Sequence, residues 1–169
     1  MANTNELLEQ IRDRVFNINT IVSCPLEPMA IPGIGAGAEG ALDAMGTLFT
    51  IQVPKAGEIR SATYYDLDFE GTQVNLYLFR RQPTGIADNA PWTLSDADAP
   101  KLVAKLAFAG FDTHSTTCYT SEINSIGKAY TAPEGKFWVQ AQCVSICTIA
   151  VAPKFQIQIL SVDSDFKES

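Results

Sequence analysis

The chain has 169 residues, 46% of them hydrophobic and 18% charged, a composition that indicates one folded domain rather than a disordered chain. Twelve Lys and Arg against 19 Asp and Glu give a net charge of -7, which repels phosphate polymers and anionic lipid. We therefore expect neither nucleic acid nor a membrane as a partner. No apolar run reaches the roughly 20 residues of a membrane span, and the N-terminus lacks signal-peptide features, so cytoplasmic synthesis is expected.

The N-terminal region predicts a helix followed by an arm. Residues 5–16 carry an apolar stripe at helical spacing, typical of a short amphipathic helix. Its apolar residues, the candidate binding residues of the arm, are Leu7, Leu8, Ile11 and Val15. Residues 23–46 contain three prolines and five glycines, too many for a long regular element. We therefore predict an N-terminal helix and extended arm over residues 1–45, which contacts other subunits or a larger assembly.

From residue 47 onward the hydrophobic pattern changes to the two-residue period of β-strands, beginning with Phe49, Ile51 and Val53 on one face. The predicted strands span residues 47–53, 59–69, 72–79, 105–111, 126–130, 136–143 and 154–162. A turn signal at Glu70 and Gly71 predicts that the second and third strands are antiparallel neighbours. The pattern predicts an all-β domain over residues 46–169, with antiparallel strands in a β-sandwich.

One helical interruption of the β pattern is expected after Ser95. Asp98 follows Ser95 by three residues, the spacing of a helix N-cap, and Leu102 and Val103 come next. Pro100 limits this helix to about two turns. Strands do not alternate with helices along the chain, so a parallel, doubly wound sheet is disfavoured.

Two sequence combinations match parts of known catalytic or cofactor sites. Residues 35–40 have the G-x-G-x-x-G spacing of dinucleotide-binding loops, but they follow a proline-rich loop and precede a β segment, so a turning arm is the better interpretation. His114 is the only histidine, and with Cys118 it would form a conceivable dyad. Polar residues crowd around His114, which favours a surface loop.

Four cysteines are present, namely Cys24, Cys118, Cys143 and Cys147. In a cytosolic protein we expect them to be reduced and to act as small apolar residues. Cys143 and Cys147 would lie roughly 13 Å apart on a continuous strand, and only a bulge or turn near Ser145 would bring them together. Two thiols without a second pair are a weak zinc signal, so no metal is expected.

The acidic and aromatic residues leave further alternatives. Asp66, Asp68 and Glu70 alternate along a predicted strand, and their oxygens would suit calcium, but an acidic stripe is also the ordinary pattern of a half-solvated strand, which we favour. Trp138 is predicted to face away from Phe137. The aromatic residues that would form either a sugar-binding platform or the core are Trp92, Trp138, Tyr64, Tyr65, Tyr77, Tyr119 and Tyr130.

Four segments carry a resemblance to a known family: residues 46–50 (GTLFT), 59–68 (IRSATYYDLD), 75–79 (NLYLF) and 83–98 (PTGIADNAPWTLSDAD). Over residues 44–111 the chain resembles the proteins that decorate, or cement, the capsid exterior of tailed bacteriophages. The segment 83–98 is the most specific part, and the resemblance implies that it closes a turn and caps a short helix. Arg80, Arg81, Gln82 and Pro100 depart from the family pattern.

The resemblance implies an antiparallel β-sandwich of jelly-roll type that binds the major capsid protein as a homo-oligomer, with a trimer expected. It implies a location on the virion, at the capsid exterior, after synthesis in the host bacterial cytoplasm, and a stabilising function without enzyme activity or cofactor. Two other classes remain open. One is a tail-associated receptor- or carbohydrate-binding module, and the other is a small enzyme such as a cysteine hydrolase that uses His114 or Cys118.

Overall fold

The computed structural model describes residues 20–35, 37–68 and 70–162. Within these ranges the regular elements are twelve strands and one 3-10 helix, Ala99–Lys101. The strands are β1 Thr20–Ala30, β2 Gly37–Glu39, β3 Ala44–Gln52, β4 Ala56–Asp66, β5 Val74–Phe79, β6 Leu102–Phe108, β7 Asp112–Ser115, β8 Cys118–Ile123, β9 Lys128–Thr131, β10 Lys136–Cys143, β11 Cys147–Ile149 and β12 Lys154–Ser161. All strand pairings among them are antiparallel. The described part therefore confirms the prediction of an all-β protein with antiparallel sheets.

The strands form two main sheets and a small ribbon. In the larger sheet the order is β1, β12, β4, β8 and β7, and β9 also pairs with β4. In the second sheet the order is β3, β10, β5 and β6, and the ribbon consists of β11 and β2. β10 and β5 therefore occupy the middle of the second sheet, where both faces of each strand are covered.

One hydrophobic core lies between the two main sheets. Phe155 of β12 in the larger sheet contacts Phe49 of β3 in the second sheet, with ring centroids 5.7 Å apart. Tyr130 of β9 packs edge-on against Phe137 of β10 at 4.6 Å. The alternation predicted for residues 154–162 is confirmed, because Phe155, Ile157 and Ile159 are buried. On β10, Trp138 lies on the face opposite Phe137, and both faces are buried from Val139 to Cys143. The two-residue period of apolar residues in the sequence therefore identified the buried face of β12.

The interpretation of residues 23–46 as an extended arm without a long regular element is wrong. β1 is an eleven-residue strand that pairs with β12, and Cys24, Ile31 and Met45 are all buried in the core. Pro25 is tolerated because β1 is an edge strand and its register is irregular between Cys24 and Met29. The helix predicted over residues 5–16 lies outside the described residues.

The predicted neighbour relation between the second and third strands is also wrong. β4 belongs to the larger sheet, whereas β5 belongs to the second sheet. The turn signal at Glu70 and Gly71 is real, since Gly71 has a φ of +65°, but the chain there crosses from one sheet to the other. Local turn chemistry does not determine which sheet receives the next strand.

The helix predicted after Ser95 is reduced to the three-residue 3-10 helix, and β6 begins immediately at Leu102. The cap-like contact at its start does form. The Ser95 hydroxyl donates to Asp98 Oδ2 at 2.7 Å and accepts from the Asp98 N–H at 3.2 Å. The Lys101 ammonium and the Ser95 hydroxyl hold the pKa of Asp98 well below its usual range. The helix stops after one turn because Leu102 enters a paired strand.

Candidate functional site

The second sheet is covered on its outer face by the cover segment, defined as residues 83–98. Strands β5 and β10 place polar side chains on that face, and Gln140 exchanges hydrogen bonds with the backbone N–H and C=O of Ile86 at 3.2 and 2.5 Å. The ring of Tyr77 stacks on Trp92 with centroids 4.2 Å apart. Gln142 accepts from Tyr77 at 3.0 Å. These contacts satisfy polar groups that the cover segment removes from water.

Asp88 ties the cover segment to the opposite turn. One carboxylate oxygen accepts from the Gly35 N–H at 2.7 Å, and the other accepts from the Gly46 N–H at 2.5 Å. Gly46 has a φ of +72°, and a side chain there would meet the Pro32 carbonyl. Asp88 therefore serves turn closure and joins the cover segment to the turns at Gly35 and Gly46.

The prediction of a solvated acidic stripe along one strand face is wrong for Asp66, which is buried, whereas Asp68 is half-buried and Glu70 is exposed. Asp66 is only 3% exposed and accepts from the Gly71 N–H at 2.6 Å. Asp68 accepts from the Ala150 N–H at 2.9 Å, and Glu70 accepts from the Thr148 N–H at 2.7 Å. β4 ends at Asp66, so the three acids do not continue one strand face. The carboxylates of Asp68 and Glu70 instead fasten the β11 segment to the turn after β4, whereas the Asp66 carboxylate closes that turn itself.

The pKa of Asp66 is raised to about 6, first by burial and then by its side-chain hydrogen bond with Asp68. The backbone donors of Gly71 and Asp68 act in the opposite direction, because they favour the charged form. With a pKa of about 6, this carboxyl takes up its proton in mildly acidic solution and is mostly charged at pH 7. Its hydrogen bonds with the backbone N–H groups of Gly71 and Asp68 give it a structural role in the turn after β4.

Glu39 is a second buried acid, which the sequence did not single out. It lies on β2 and is 2% exposed, and no donor among the described residues reaches its Oε2 atom. Burial, followed by the negative charges of Asp88 and Asp43, raises the pKa of Glu39 to about 7. A charged carboxylate at this place would be poorly solvated. Glu39 is therefore a group whose protonation is coupled to folding.

The thiols of Cys143 and Cys147 lie in contact, with 2.7 Å between the sulfur atoms. β10 ends at Cys143, the chain turns through residues 144–146, and β11 begins at Cys147. The separation expected for a continuous strand does not occur because of this turn, the exception that the sequence allowed at Ser145. The Cys143 sulfur also contacts the Ser145 carbonyl oxygen at 2.9 Å.

No protein-family model matches the chain. A search of curated proteins likewise found no significantly similar sequence. Within residues 20–35, 37–68 and 70–162, no three His, Cys, Asp or Glu side chains form a group that could hold a metal ion. The same residues contain no helix long and apolar enough to cross a membrane.

The structure does not assemble the conceivable dyad of His114 and Cys118. His114 lies on β7, an exposed edge strand rather than the predicted loop, and its Nε2 atom bonds the Thr120 hydroxyl at 2.6 Å. The Cys118 thiol contacts the carbonyl oxygen of Tyr119 instead. The glycine-rich residues 35–40 include the strand β2 and lead to no helix, so the context of a dinucleotide-binding loop is missing in the described part.

Aromatic residues mostly fill the interior. Of the candidate platform residues, Tyr64, Tyr77 and Tyr130 are at most 9% exposed, whereas the half-buried ones are Tyr65, Trp92, Tyr119 and Trp138. The largest exposed apolar side chains lie elsewhere, and they are Ile21, Leu26, Leu42, Leu94, Ile146, Val151 and Val162. Two of them, Ile21 and Leu26, belong to the edge strand β1 and are 59% and 53% exposed. An exposed apolar edge strand is a ready contact surface.

Proposed function

We propose that this protein decorates the outer surface of the mature head of a tailed bacteriophage and stabilises the shell. The observation that carries the proposal is the use of the cover segment, which holds the most specific part of the family resemblance. Asp88 and Trp92 fix this segment onto the second sheet by hydrogen bonds and ring stacking. These contacts support the proposal, because the resemblance implies a structural use for this segment.

In this proposal the two sheets form a sandwich of jelly-roll type, and three copies assemble on the shell around a symmetry point. A rigid β domain is suited to this task because many modest contacts add up when symmetry-related copies bind together. The major capsid protein is the proposed partner, and the virion exterior is the proposed location. Neither a cofactor nor a catalytic step is part of the proposal.

The edge strand β1 is the proposed contact surface. Among the described residues β1 pairs only with β12, so its other edge has no strand partner there. Ile21 and Leu26 expose more than half of their surface on this strand. The candidate residues Leu7, Leu8, Ile11 and Val15 precede β1 in the chain. They lie outside the described residues and remain candidates for the same interface.

Replacing Ile21 and Leu26 together by serine is expected to weaken oligomerisation and head binding. Burying the exposed half of each side chain contributes about 1 kcal/mol per residue, so the double substitution should weaken one interface by about 2 kcal/mol, or about 30-fold. Analytical ultracentrifugation measures the assembly of the purified protein, and cosedimentation with heads lacking it measures binding. The free energy of unfolding should stay within about 0.5 kcal/mol of that of the parent protein, because more than half of each side chain is exposed.

The matched control is Ile146→Ser, which removes a 74% exposed apolar side chain far from β1 in sequence. This variant should assemble and bind like the parent protein. If the Ile146 variant loses assembly and the β1 variant keeps it, β1 is not the contact surface.

A tail-associated receptor- or carbohydrate-binding module is the second candidate function, and it rests on the aromatic content of the chain. The burial of Tyr64, Tyr77 and Tyr130 counts against it. Glycan-array binding at micromolar affinity, together with a location at the tail tip, would favour this candidate over head decoration.

A further inference from the structure

Cys143 and Cys147 are held in contact by strand pairing on both sides of the turn between them. The Cys143 N–H donates to the Asp43 carbonyl at 3.0 Å, and the Cys143 carbonyl accepts from the Leu42 N–H at 2.9 Å. Cys147 pairs with Glu39 across the ribbon of β11 and β2. These backbone bonds do not involve the thiols, so the fold itself brings the two sulfur atoms together.

The sulfur atoms are 2.7 Å apart, whereas the bond in a disulfide is about 2.05 Å long. Closing the remaining gap needs only a small shift of two side chains at the turn formed by residues 144–146. The sulfur of Cys118, in contrast, contacts the backbone carbonyl oxygen of Tyr119. Cys143 and Cys147 are therefore prearranged as a pair.

A small cavity borders the thiol of Cys147. A cavity of about 10 Å³, the size of one water molecule, is lined by Cys147 together with Asp66 and Thr72. Hydrogen peroxide is close to water in size and is the smallest common thiol oxidant. Larger reagents are hindered, since Cys143 and Cys147 are 0% and 5% exposed.

We propose that Cys143 and Cys147 are an oxidative modification site, at which peroxide converts the two thiols into an intrachain disulfide. One sulfur, as its thiolate, attacks a peroxide oxygen, the O–O bond breaks, and a sulfenic acid and one water form. The second sulfur attacks the sulfenic sulfur and expels a second water. The two thiols are oxidised by two electrons, and one peroxide is reduced to two waters.

The product joins the end of β10 to the start of β11 and closes the turn that carries the exposed Ile146. Such a cross-link restricts the unfolded chain and therefore favours the folded state. The protein as synthesised in a reducing cytoplasm would carry two thiols, and the cross-link would form after exposure to an oxidising medium. This inference does not depend on the proposed decoration function.

Mass spectrometry of tryptic peptides tests the site directly on the unaltered protein. Cleavage after Lys136 and Lys154 releases both cysteines in one peptide, residues 137–154, whereas Cys118 and Cys24 fall in separate peptides. After mild peroxide treatment and alkylation, peptide 137–154 is expected to be lighter by two hydrogen atoms and to take up no alkylating reagent. Dithiothreitol should restore two alkylation sites.

The proposal is overturned if peptide 137–154 still accepts two alkyl groups after treatment, or if it gains oxygen atoms instead of losing hydrogen. Cys147→Ser provides the complementary variant, in which Cys143 should remain alkylatable or gain oxygen without losing hydrogen. Cys118→Ser is the matched control and should form the cross-link like the parent. In the parent protein, the urea midpoint should be higher after oxidation and return to its original value after reduction.

Discussion

Replacing Gly46 by alanine is expected to destabilise the protein by about 4 kcal/mol, a large fraction of the stability of an ordinary domain. Gly46 has a φ of +72°, which costs about 1 kcal/mol for a residue with a side chain. An added Cβ would also lie 2.5 Å from the Pro32 carbonyl oxygen and 2.9 Å from a methyl group of Ile31. Neither neighbour can move freely, because Ile31 is buried and Pro32 accepts a backbone hydrogen bond from Thr47.

Gly110→Ala is the matched control, since Gly110 has a similar φ of +78° but an added Cβ would meet nothing within 4 Å. This variant is expected to lose only about 1 kcal/mol from the backbone conformation. Urea unfolding of both variants measures the difference. Equal losses in the two variants would show that the close approach at Gly46 does not constrain the fold.

Raising the pH from 5 to 8 is expected to lower the free energy of unfolding, with Glu39 contributing about 2 kcal/mol of the decrease. The folded-state pKa of Glu39 is raised from 4.5 to about 7. Between these values the unfolded chain has released the proton while the folded protein still holds it. The folded state therefore binds more protons, and its stability falls as the pH rises through this window. Asp66, with a pKa raised to about 6, acts in the same direction.

Glu39→Gln should remove the Glu39 part of this dependence, because an amide stays uncharged at every pH. The variant is expected to match the parent near pH 5 and to exceed its stability by about 2 kcal/mol at pH 8. Urea unfolding at both pH values measures the effect. Glu122→Gln, at an exposed position, is the control and should keep the parent's pH dependence. A Glu39 variant with an unchanged pH dependence would contradict the coupling of this carboxyl to folding.

The bounds of β10 and β12 were the strand bounds that the sequence predicted best. β10 was predicted with its observed bounds, and β12 within one residue, because one face of each meets the shared core. β1 was not predicted because its prolines were interpreted as ending any regular element. An edge strand with an irregular register tolerates them. The separation of β4 and β5 into different sheets depends on distant pairings with β12 and β10, which local turn signals do not encode.

The candidate site was less predictable than the fold. The contact between Cys143 and Cys147 required a turn that the spacing allowed but did not specify. No local sequence pattern predicted that Glu39 is buried. Its strand, β2, pairs with β11, and this ribbon joins residues about a hundred positions apart. Asp68 and Glu70 were misinterpreted because their backbone donors, Ala150 and Thr148, lie in or next to β11, about 80 residues away in sequence. In each case the chemistry depends on contacts distant in sequence.

The central proposal is that the protein coats a phage head, and cryo-electron microscopy of purified virions, with mass spectrometry of their proteins, tests it most directly. The proposal predicts a β-rich density at regular symmetry-related positions on the outer head surface, grouped in threes, with a copy number that scales with the capsid lattice. The density should accommodate the two sheets with the edge strand β1 turned toward a neighbouring copy or the shell. The protein's absence from virions, or its presence in only a few copies at the tail tip, would contradict the proposal.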